Sequence, residues 1–555
     1  MYKLFLCLRY LRSRVIAYFA VLGVALCVAM MLIVVSVMDG FLNKVEKAAK
    51  GLFGDIVMEG PKTGMGLYDE FIADAKRQVP EVEAASPFIL NYCFLKVPWS
   101  EWNEIVQAAG IRLPERAKVT DFAKGLFVQK DAAAPTFDPP VAMIDRRLKE
   151  ENQAIEAIAD RYKAKGEDES TLKLLSDLGK GQDALLASRL KLVKAQGAQA
   201  RLAELEAQIA AAKAAANGED TEASDKLEKE LDELCQATGY WPPSRHIILG
   251  LGVRGLSFRT PEGQTIRRLA PGENITASVL PLGQLSAASL TSLSWNTRLF
   301  TIVDDCKTDV SSIDNNIVYI PFETIQRMSG MEAKVDANNR IVSPARCSQI
   351  HFKVRGGDED ERYLGAVRAR IEGVWSNFRL AHPELAGTEA VVETWRQRQA
   401  NLIGPIEKQR TLTVIMFGII SLVSVVLIFV IFYMIVFQKT KDIGVLKAIG
   451  ASSGGVAGIF LAYGAAVGLV GSIIGTIGGY YFVLYINNIQ DFIDKYFGFR
   501  VWDREIFMFE KIPNEVELVP ALLIVAGAIV AGLVGALIPA WRAARMQPVE
   551  ALRYE

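Results

Sequence analysis

The side chains able to do chemistry are few, and their spacing points away from catalysis. The three histidines, His246, His351 and His382, lie far apart in sequence, and the six cysteines, Cys7, Cys27, Cys93, Cys235, Cys306 and Cys347, show no CxxC spacing. Neither pattern offers a metal-ligand set. Cys7 and Cys27 sit in or beside a long apolar run, which argues against a disulfide framework there. Cys306 and Cys347 are a pair that could bridge if their region is extracytoplasmic, and sequence leaves this open. The chain has no GxxxxGK[ST] loop to cradle nucleotide phosphates, and no GxSxG, HExxH or EF-hand loop. The reading is that it is not an enzyme.

What does stand out is a charged segment between two apolar runs. Residues 438–452, QKTKDIGVLKAIGAS, carry Lys439, Lys441, Asp442 and Lys447, interleaved with Ile443, Val445, Leu446 and Ile449. The flanking runs, 411–437 and 455–486, hold no charged residue. A short helix with one basic and one apolar face, held between two membrane spans, suits docking into a partner's groove. Its basic residues place it in the cytoplasm. An ordinary positive-inside loop explains the lysines but needs no apolar face.

The elements that must hold this segment follow from hydropathy. A chain of 555 residues is too long for one domain, and its formal net charge of −1 gives no reason to expect a nucleic-acid partner. Residues 1–14, MYKLFLCLRYLRSR, are basic without an acid, and Leu4, Phe5, Leu8 and Leu11 share one helical face, as in a helix lying on a membrane surface. Residues 15–38 follow, uncharged and long enough to span a bilayer. The run is longer than a signal-peptide core and no small-x-small site closes it, so it reads as a retained span rather than a cleaved signal. Leu26 before Cys27 also argues against lipoprotein processing. Three further spans are expected at 411–437, 455–486 and 518–541. With the N-terminus inside, four spans return the C-terminus inside, beside Arg542, Arg545 and Arg553. Lys408 and Arg410 fall on the outer side and are expected to snorkel. Gly464, Gly468, Gly471, Gly475 and Gly479 make a small-residue stripe for close helix packing, which Gly527, Ala531 and Gly535 repeat in the last span. No ionisable residue lies inside a span, which argues against a proton or ion path.

Residues 39–144 and 239–410 read as an extracytoplasmic α/β region. Strands are expected at 55–59, 85–97, 104–108, 141–144, 246–251, 299–304, 316–320 and 349–354, with a helix at 361–378. Between them, residues 145–238 are rich in Ala, Leu, Lys, Glu and Gln and lack proline; Ile155, Ile158, Tyr162, Leu202, Leu205, Ile209, Leu227, Leu231 and Leu234 recur at helical spacing. This is a helical, coiled-coil-like insertion, either passive or an arm for a partner.

These segments resemble a known family. QKTKDIGVLKAIGAS and the ending PAWRAARMQPVEALRYE are similar to the coupling segment and C-terminal close of FtsX-like, MacB-type ABC transporter permeases. RYLRSR, VSVMDGF, YFGFRVWDREIFMFEKIPNEV, HIILGLGVRGL and FTIVDDCKTDVSSIDNNIVYIPFETIQRM look nearest to the LolC/LolE lipoprotein-releasing permeases, whose usual pattern does not include the 145–238 insertion. The resemblance implies a fold of four transmembrane helices, arranged one plus three, with a MacB-like periplasmic domain between the first two. Residues 411–555 would be the FtsX-like permease domain, in a bacterial inner membrane. It implies a second permease subunit, identical or different, and a separate cytoplasmic ATPase dimer that binds ATP and Mg, this chain holding no cofactor itself. Lys439, Lys441, Asp442, Ile443, Gly444, Leu446, Lys447, Gly450 and Ala451 would meet that ATPase. Met30, Val34, Met38 and Phe41, with Met416, Ile420 and Val423, are candidates to line an apolar cleft for a lipoprotein bound for a periplasmic carrier or adaptor; plain lipid-facing packing is the other reading. MacB-like efflux and FtsX-like control of a cell-wall hydrolase are the alternatives.

Overall fold

The computed structural model describes residues 15–547 except 98–100, 154–200, 213–221, 239–241, 260–264, 285–294, 336–340, 358–360, 498–501, 503–511 and positions of one or two residues elsewhere. The surface helix expected at 1–14 and the closing residues 548–555 lie outside the described residues. The chain forms two compact units, Met1–Glu46 with Ala400–Glu555, and Lys47–Gln399. The helices that matter below are α1 (Val15–Phe53), α2 (Leu113–Val119), α3 (Glu361–Ala381), α4 (Ala400–Gln438), α5 (Thr440–Ala448), α6 (Ser453–Leu484), α7 (Ile486–Phe497) and α8 (Leu518–Arg545).

Four helices are long and apolar enough to cross a membrane: Tyr18–Phe53, Ile403–Gln438, Ser453–Leu484 and Leu518–Arg545. Two of them run on as helix beyond the expected spans. Helix α1 does not stop at Met38, nor does α4 start at Thr411; each is 39 residues long, about 58 Å at ~1.5 Å per residue, against an apolar bilayer core of ~30 Å. Charges end an apolar segment but not a helix. What ends α1 is Gly54, whose φ of 73° is the left-handed conformation glycine adopts without strain. Its N–H closes on the Lys50 carbonyl at 2.9 Å. Arg410 has a partner within the fold: its Nε is paired with the carboxylate of Asp39, whose side chain is 8% exposed.

The glycine stripe of α6 is divided between two neighbours. A Cβ placed on Gly464 would stand 2.5 Å from the Ala536 Cβ and 2.7 Å from the Gly532 carbonyl oxygen of α8. One on Gly471 would stand 2.8 Å from the Val24 Cβ of α1, and one on Gly479 3.1 Å from the Ala29 carbonyl oxygen. The early glycines therefore seat α8 and the later ones seat α1, so both partners approach to backbone contact. In α8 the expected repeat is shifted: Gly532 and Gly535 carry the contacts, while Gly527 faces open space. Around this junction Val21, Val24, Val28, Leu32, Ile428, Phe432, Tyr463 and Val467 form the buried core of the bundle.

In the second unit nine strands form one sheet: β1 (Ile56–Glu59), β2 (Val82–Lys96), β3 (Asn103–Ile111), β4 (His246–Gly250), β5 (Asn274–Val279), β6 (Asn296–Cys306), β7 (Ile317–Pro321), β8 (Gln349–Val354) and β9 (Val391–Thr394). The order is β9-β1-β8-β2-β3-β7-β4-β6-β5, and β5 also pairs with β2. Six strands thus close into a ring, while β8, β1 and β9 continue from the first half of β2. Ile89, Cys93, Leu95, Val279, Phe300 and Ile302, all fully buried, face the inside of the ring, and Phe88, Ile111, Phe122, Ile248, Val303 and Tyr319 form a second buried cluster on the other face of its strands. Strand β1 pairs with β9 in the register Ile56↔Thr394, so the two places where the chain joins this unit are neighbours.

Residues 142–144, expected as a strand, are helical. Pro139 and Pro140 precede them, and proline favours the first helical turn. Strands β5 and β9 were not anticipated: β5 is diluted by Asn274, Ala277 and Ser278, poor strand formers, and β9 is only four residues long. Of the helical insertion, the described parts pack together through Leu205, Ile209, Leu231 and Cys235, with Leu299 of β6 alongside. Arg298 of β6 also binds Glu228 at 2.7 Å. This end therefore lies on the ring instead of projecting from it; 154–200 lie outside the described residues. Cys306 and Cys347 are both buried and free, so they are not bridged.

A polar chain crosses the interior of this unit. Arg116 of α2, 3% exposed, donates to the Leu52 carbonyl near the end of α1 and to His351 Nδ1, the latter at 2.6 Å. His351 Nε2 meets Gln349 Oε1 at 2.9 Å, Gln349 Nε2 donates to Glu59 at 3.1 Å, and Glu59 accepts from Arg398. Accepting from Arg116 fixes the tautomer of His351 with its proton on Nε2. Burial, reinforced by the Arg116 charge, holds its pKa well below the usual histidine value.

Candidate functional site

The segment between the second and third apolar helices folds as α5, and its sequence explains both of its ends. Asp442 lies in the first turn, where the helix dipole favours an acid, and pairs with Lys439 at 2.5 Å. At the other end the Gly450 N–H reaches the Lys447 carbonyl at 3.0 Å and the Ala451 N–H the Leu446 carbonyl at 3.0 Å. These two bonds are a Schellman closure, and Gly450 at φ 102° supplies the left-handed residue it needs. Ser452 then caps α6, its Oγ accepting from the Gly455 N–H at 3.1 Å. The string Ile-Gly-Ala-Ser is thus a stop and a start in four residues.

The helix has two faces, divided differently from the expected basic and apolar halves. Thr440, Ile443 and Gly444 are buried. Ile443 packs in a cluster with Val436, Val456, Phe460, Ala540 and Ala543, drawn from α4, α6 and α8. Lys447 lies on this inner side too: its Nζ donates to the carbonyls of Ala544 at 2.6 Å and Met546 at 2.8 Å. Those are orphan acceptors at the end of α8, where a cation is favoured. The outer side presents Lys441, Asp442, Val445, Ala448, Ile449, Gly450 and Ala451, with Val445 47% and Ile449 81% exposed. Lys439 and Leu446 are half-buried and line a small apolar groove with Ile435, Ile459 and Phe460. Of the nine residues expected here, Ile443, Gly444 and Lys447 hold the helix to its own bundle, and the rest are wholly or partly accessible. Val445 and Ile449, read in the sequence as part of the apolar face, were not among the nine; the spacing of Lys441, Val445 and Ala448 puts these three on one helical face.

The cleft candidates lie at matching heights on two antiparallel helices. A Cβ on Gly23 would stand 3.0 Å from Leu427 Cδ2, and Asp39 pairs with Arg410. The two contacts fix a single antiparallel register between α1 and α4. Met30 is therefore level with Ile420, and Val34 with Met416. Met30, Met416, Ile420 and Val423 are 47, 52, 38 and 64% exposed; Val34, Met38 and Phe41 are half-buried. Phe41 meets the ring of Trp502 edge-on at 5.7 Å. These side chains form exposed and half-buried apolar surface on α1 and α4.

Comparison with known proteins matches both regions. Residues 414–548 match the FtsX-like permease C-terminal family, and residues 18–167 the MacB-like periplasmic core domain. The chain thus carries one region similar to the FtsX-like permease C-terminal domain and another similar to the MacB-like periplasmic core. Among curated proteins it is similar to the lipoprotein-releasing system transmembrane protein LolC of Xylella fastidiosa strain 9a5c, at 30% identity over 165 residues, 30% of this chain and 40% of the relative. It is 22% identical over 315 residues to LolC of Neisseria meningitidis serogroup B, covering 57% of this chain and 66% of the relative. It is 28% identical over 119 residues to LolE of Haemophilus influenzae, covering 21% and 29%. The alignment to the Xylella relative spans 40% of that protein's length.

Proposed function

We propose that this chain is the permease subunit of an ATP-binding-cassette transporter that extracts lipoproteins from the outer leaflet of a bacterial inner membrane, driven by ATP hydrolysis in a separate cytoplasmic subunit. The observation that carries the reading is the likeness to LolC over 315 residues. Helix α5 supports it with an outer face of Lys441, Val445 and Ile449 fit for a groove. In this reading both termini and α5 are cytoplasmic, the partner ATPase binds ATP and Mg, and a second permease, identical or different, completes the path. The energetics require a shielded route. Three acyl chains carry on the order of 45 methylenes, and at ~0.8 kcal/mol each their exposure to water would cost roughly 35 kcal/mol. An apolar surface on α1 and α4 supplies one wall of such a route.

The MacB-like core match favours a second reading, efflux of periplasmic substrates through an adaptor; control of a cell-wall hydrolase is the third. The protein is co-expressed with its ATPase, purified in detergent, and its co-purifying molecules are identified by mass spectrometry. Triacylated lipoproteins released on ATP addition are the expected result. A bound adaptor or hydrolase with no lipoprotein sinks the extraction reading.

A further inference from the structure

We infer that α7 lies in the membrane interface with its aromatic face in the lipid headgroup region, a seat for the bundle that is separate from the four spans. The helix is amphipathic in the inverted sense. Two of its amide side chains turn toward the protein: Asn487 donates to the Ile512 carbonyl at 3.0 Å and accepts from the Ile512 N–H at 2.9 Å. Gln490, 8% exposed, accepts from the Trp502 N–H at 3.1 Å. Asn487, Gln490 and Asp494 fall within one arc of the helix, and these bonds make that arc the protein-facing side. The opposite arc carries Phe492 and Tyr496, 57 and 67% exposed, with Tyr485 just before the helix on the same side, 53% exposed. The rings of Phe492 and Tyr496 rest against each other at 4.6 Å, and both stay outside the fold.

A helix in water does the reverse, burying its aromatic stripe and wetting its amides. Inversion is stable where the outside is less polar than water. The surroundings say which apolar medium this is. Helix α7 begins one residue after α6 ends. The last turns of α6 carry an exposed aromatic collar of Tyr480, Tyr481, Phe482 and Tyr485, the composition found where a spanning helix crosses into headgroups. The exposed face of α7 continues that collar. Tyrosine and phenylalanine, with no basic residue in the described exposed stripe, suit zwitterionic headgroups, and the acids Asp491 and Asp494 disfavour an anionic surface.

The full chain is reconstituted in phosphatidylethanolamine vesicles with the photoreactive residue p-benzoylphenylalanine in place of Phe492, Tyr496 or, for comparison, Asp491. All three positions are exposed, so the substitutions leave the packing intact. On illumination, peptides labelled at 492 and 496 are expected to gain the mass of one phospholipid, in several-fold higher yield than the peptide labelled at 491. Equal lipid yields at the three positions, or adducts at 492 and 496 to a second copy of the chain or another protein, overturn the assignment. The readout needs no lipoprotein and no ATPase, so it stands or falls independently of the proposed function.

Discussion

The seating of α8 against α6 is the contact most exposed to a single methyl group. Gly464→Ala places a carbon 2.5 Å from the Ala536 Cβ and 2.7 Å from the Gly532 carbonyl oxygen. An ordinary carbon–carbon contact is ~3.5 Å, so the helices must part by about 1 Å. Both obstacles are backbone or Cβ atoms, which no rotamer change can remove. The shift also loosens the neighbouring approach at Gly468, where a Cβ would stand 2.9 Å from the Ala528 carbonyl oxygen. Overpacking of this kind costs about 1–3 kcal/mol, and alanine's better helix propensity returns up to ~1 kcal/mol. The net expectation is a loss of about 1–2 kcal/mol. Gly478→Ala in the same helix meets nothing within 4 Å and is expected to be neutral or slightly stabilising. Thermal unfolding of the two variants in one detergent separates them. Adding Ala536→Gly to the Gly464→Ala chain removes the closer clash and should recover part of the loss, a coupling that independent sites would not show. If Gly464→Ala and Gly478→Ala unfold together, the close approach is not what holds these helices.

Other perturbations test other joints. Lys447→Met keeps the aliphatic stem but removes the donor to the Ala544 and Met546 carbonyls; about 1–3 kcal/mol of thermal stability is expected to be lost, while capture of a co-expressed ATPase persists, since Lys447 faces inward. Gly450→Ala forces alanine to φ 102° and is expected to cost about 1–2 kcal/mol, seen in the same melting assay. His351 is held neutral with its pKa well below 6.5, so its contribution to stability is complete above pH ~6.5 and is lost as pH falls below that value, at up to ~1.4 kcal/mol per pH unit. Unfolding midpoints at pH 7.5 and 5.5 should therefore diverge more for the parent than for His351→Gln. Glu273 works the other way. Burial lifts its pKa from 4.5 to about 7, so the stability it favours is complete below pH 4.5 and is lost as pH rises through about 7; Glu273→Gln should flatten that loss in the same melts between pH 5 and 8.

Several features were legible because they depend on composition or on local chemistry. The four apolar runs announce spanning helices whatever surrounds them, since only a closed backbone hydrogen-bond pattern survives in lipid. Gly450 and Ser452 mark a helix end and a helix start within the charged segment. Strand β8 was read at its observed bounds, Gln349–Val354, because its residues suit a buried strand on their own. The misses have different causes: α1 runs on past Met38 until Gly54 stops it, Pro139 and Pro140 favour a helical turn where a strand was expected at 141–144, and β5 and β9 take the extended state beside strand partners that the sequence alone does not name.

Sequence by itself determined the division into apolar ends and an α/β middle, the amphipathic segment between the second and third spans, and the glycine stripe that lets helices touch. These follow from transfer free energies and single-residue conformational preferences, which act before any tertiary contact forms. Tertiary structure alone decided which face does what. Lys447 could serve a partner or its own bundle, and it serves its bundle because the carbonyls ending α8 come within 2.8 Å. Arg410 is held by Asp39, 371 residues away. The stripe of α6 is shared between α8 and α1, and α7 turns its amides in and its aromatics out, because the backbone of the returning loop offers those amides their partners. A periodicity places residues on one side of a helix; only the packed chain decides what that side faces.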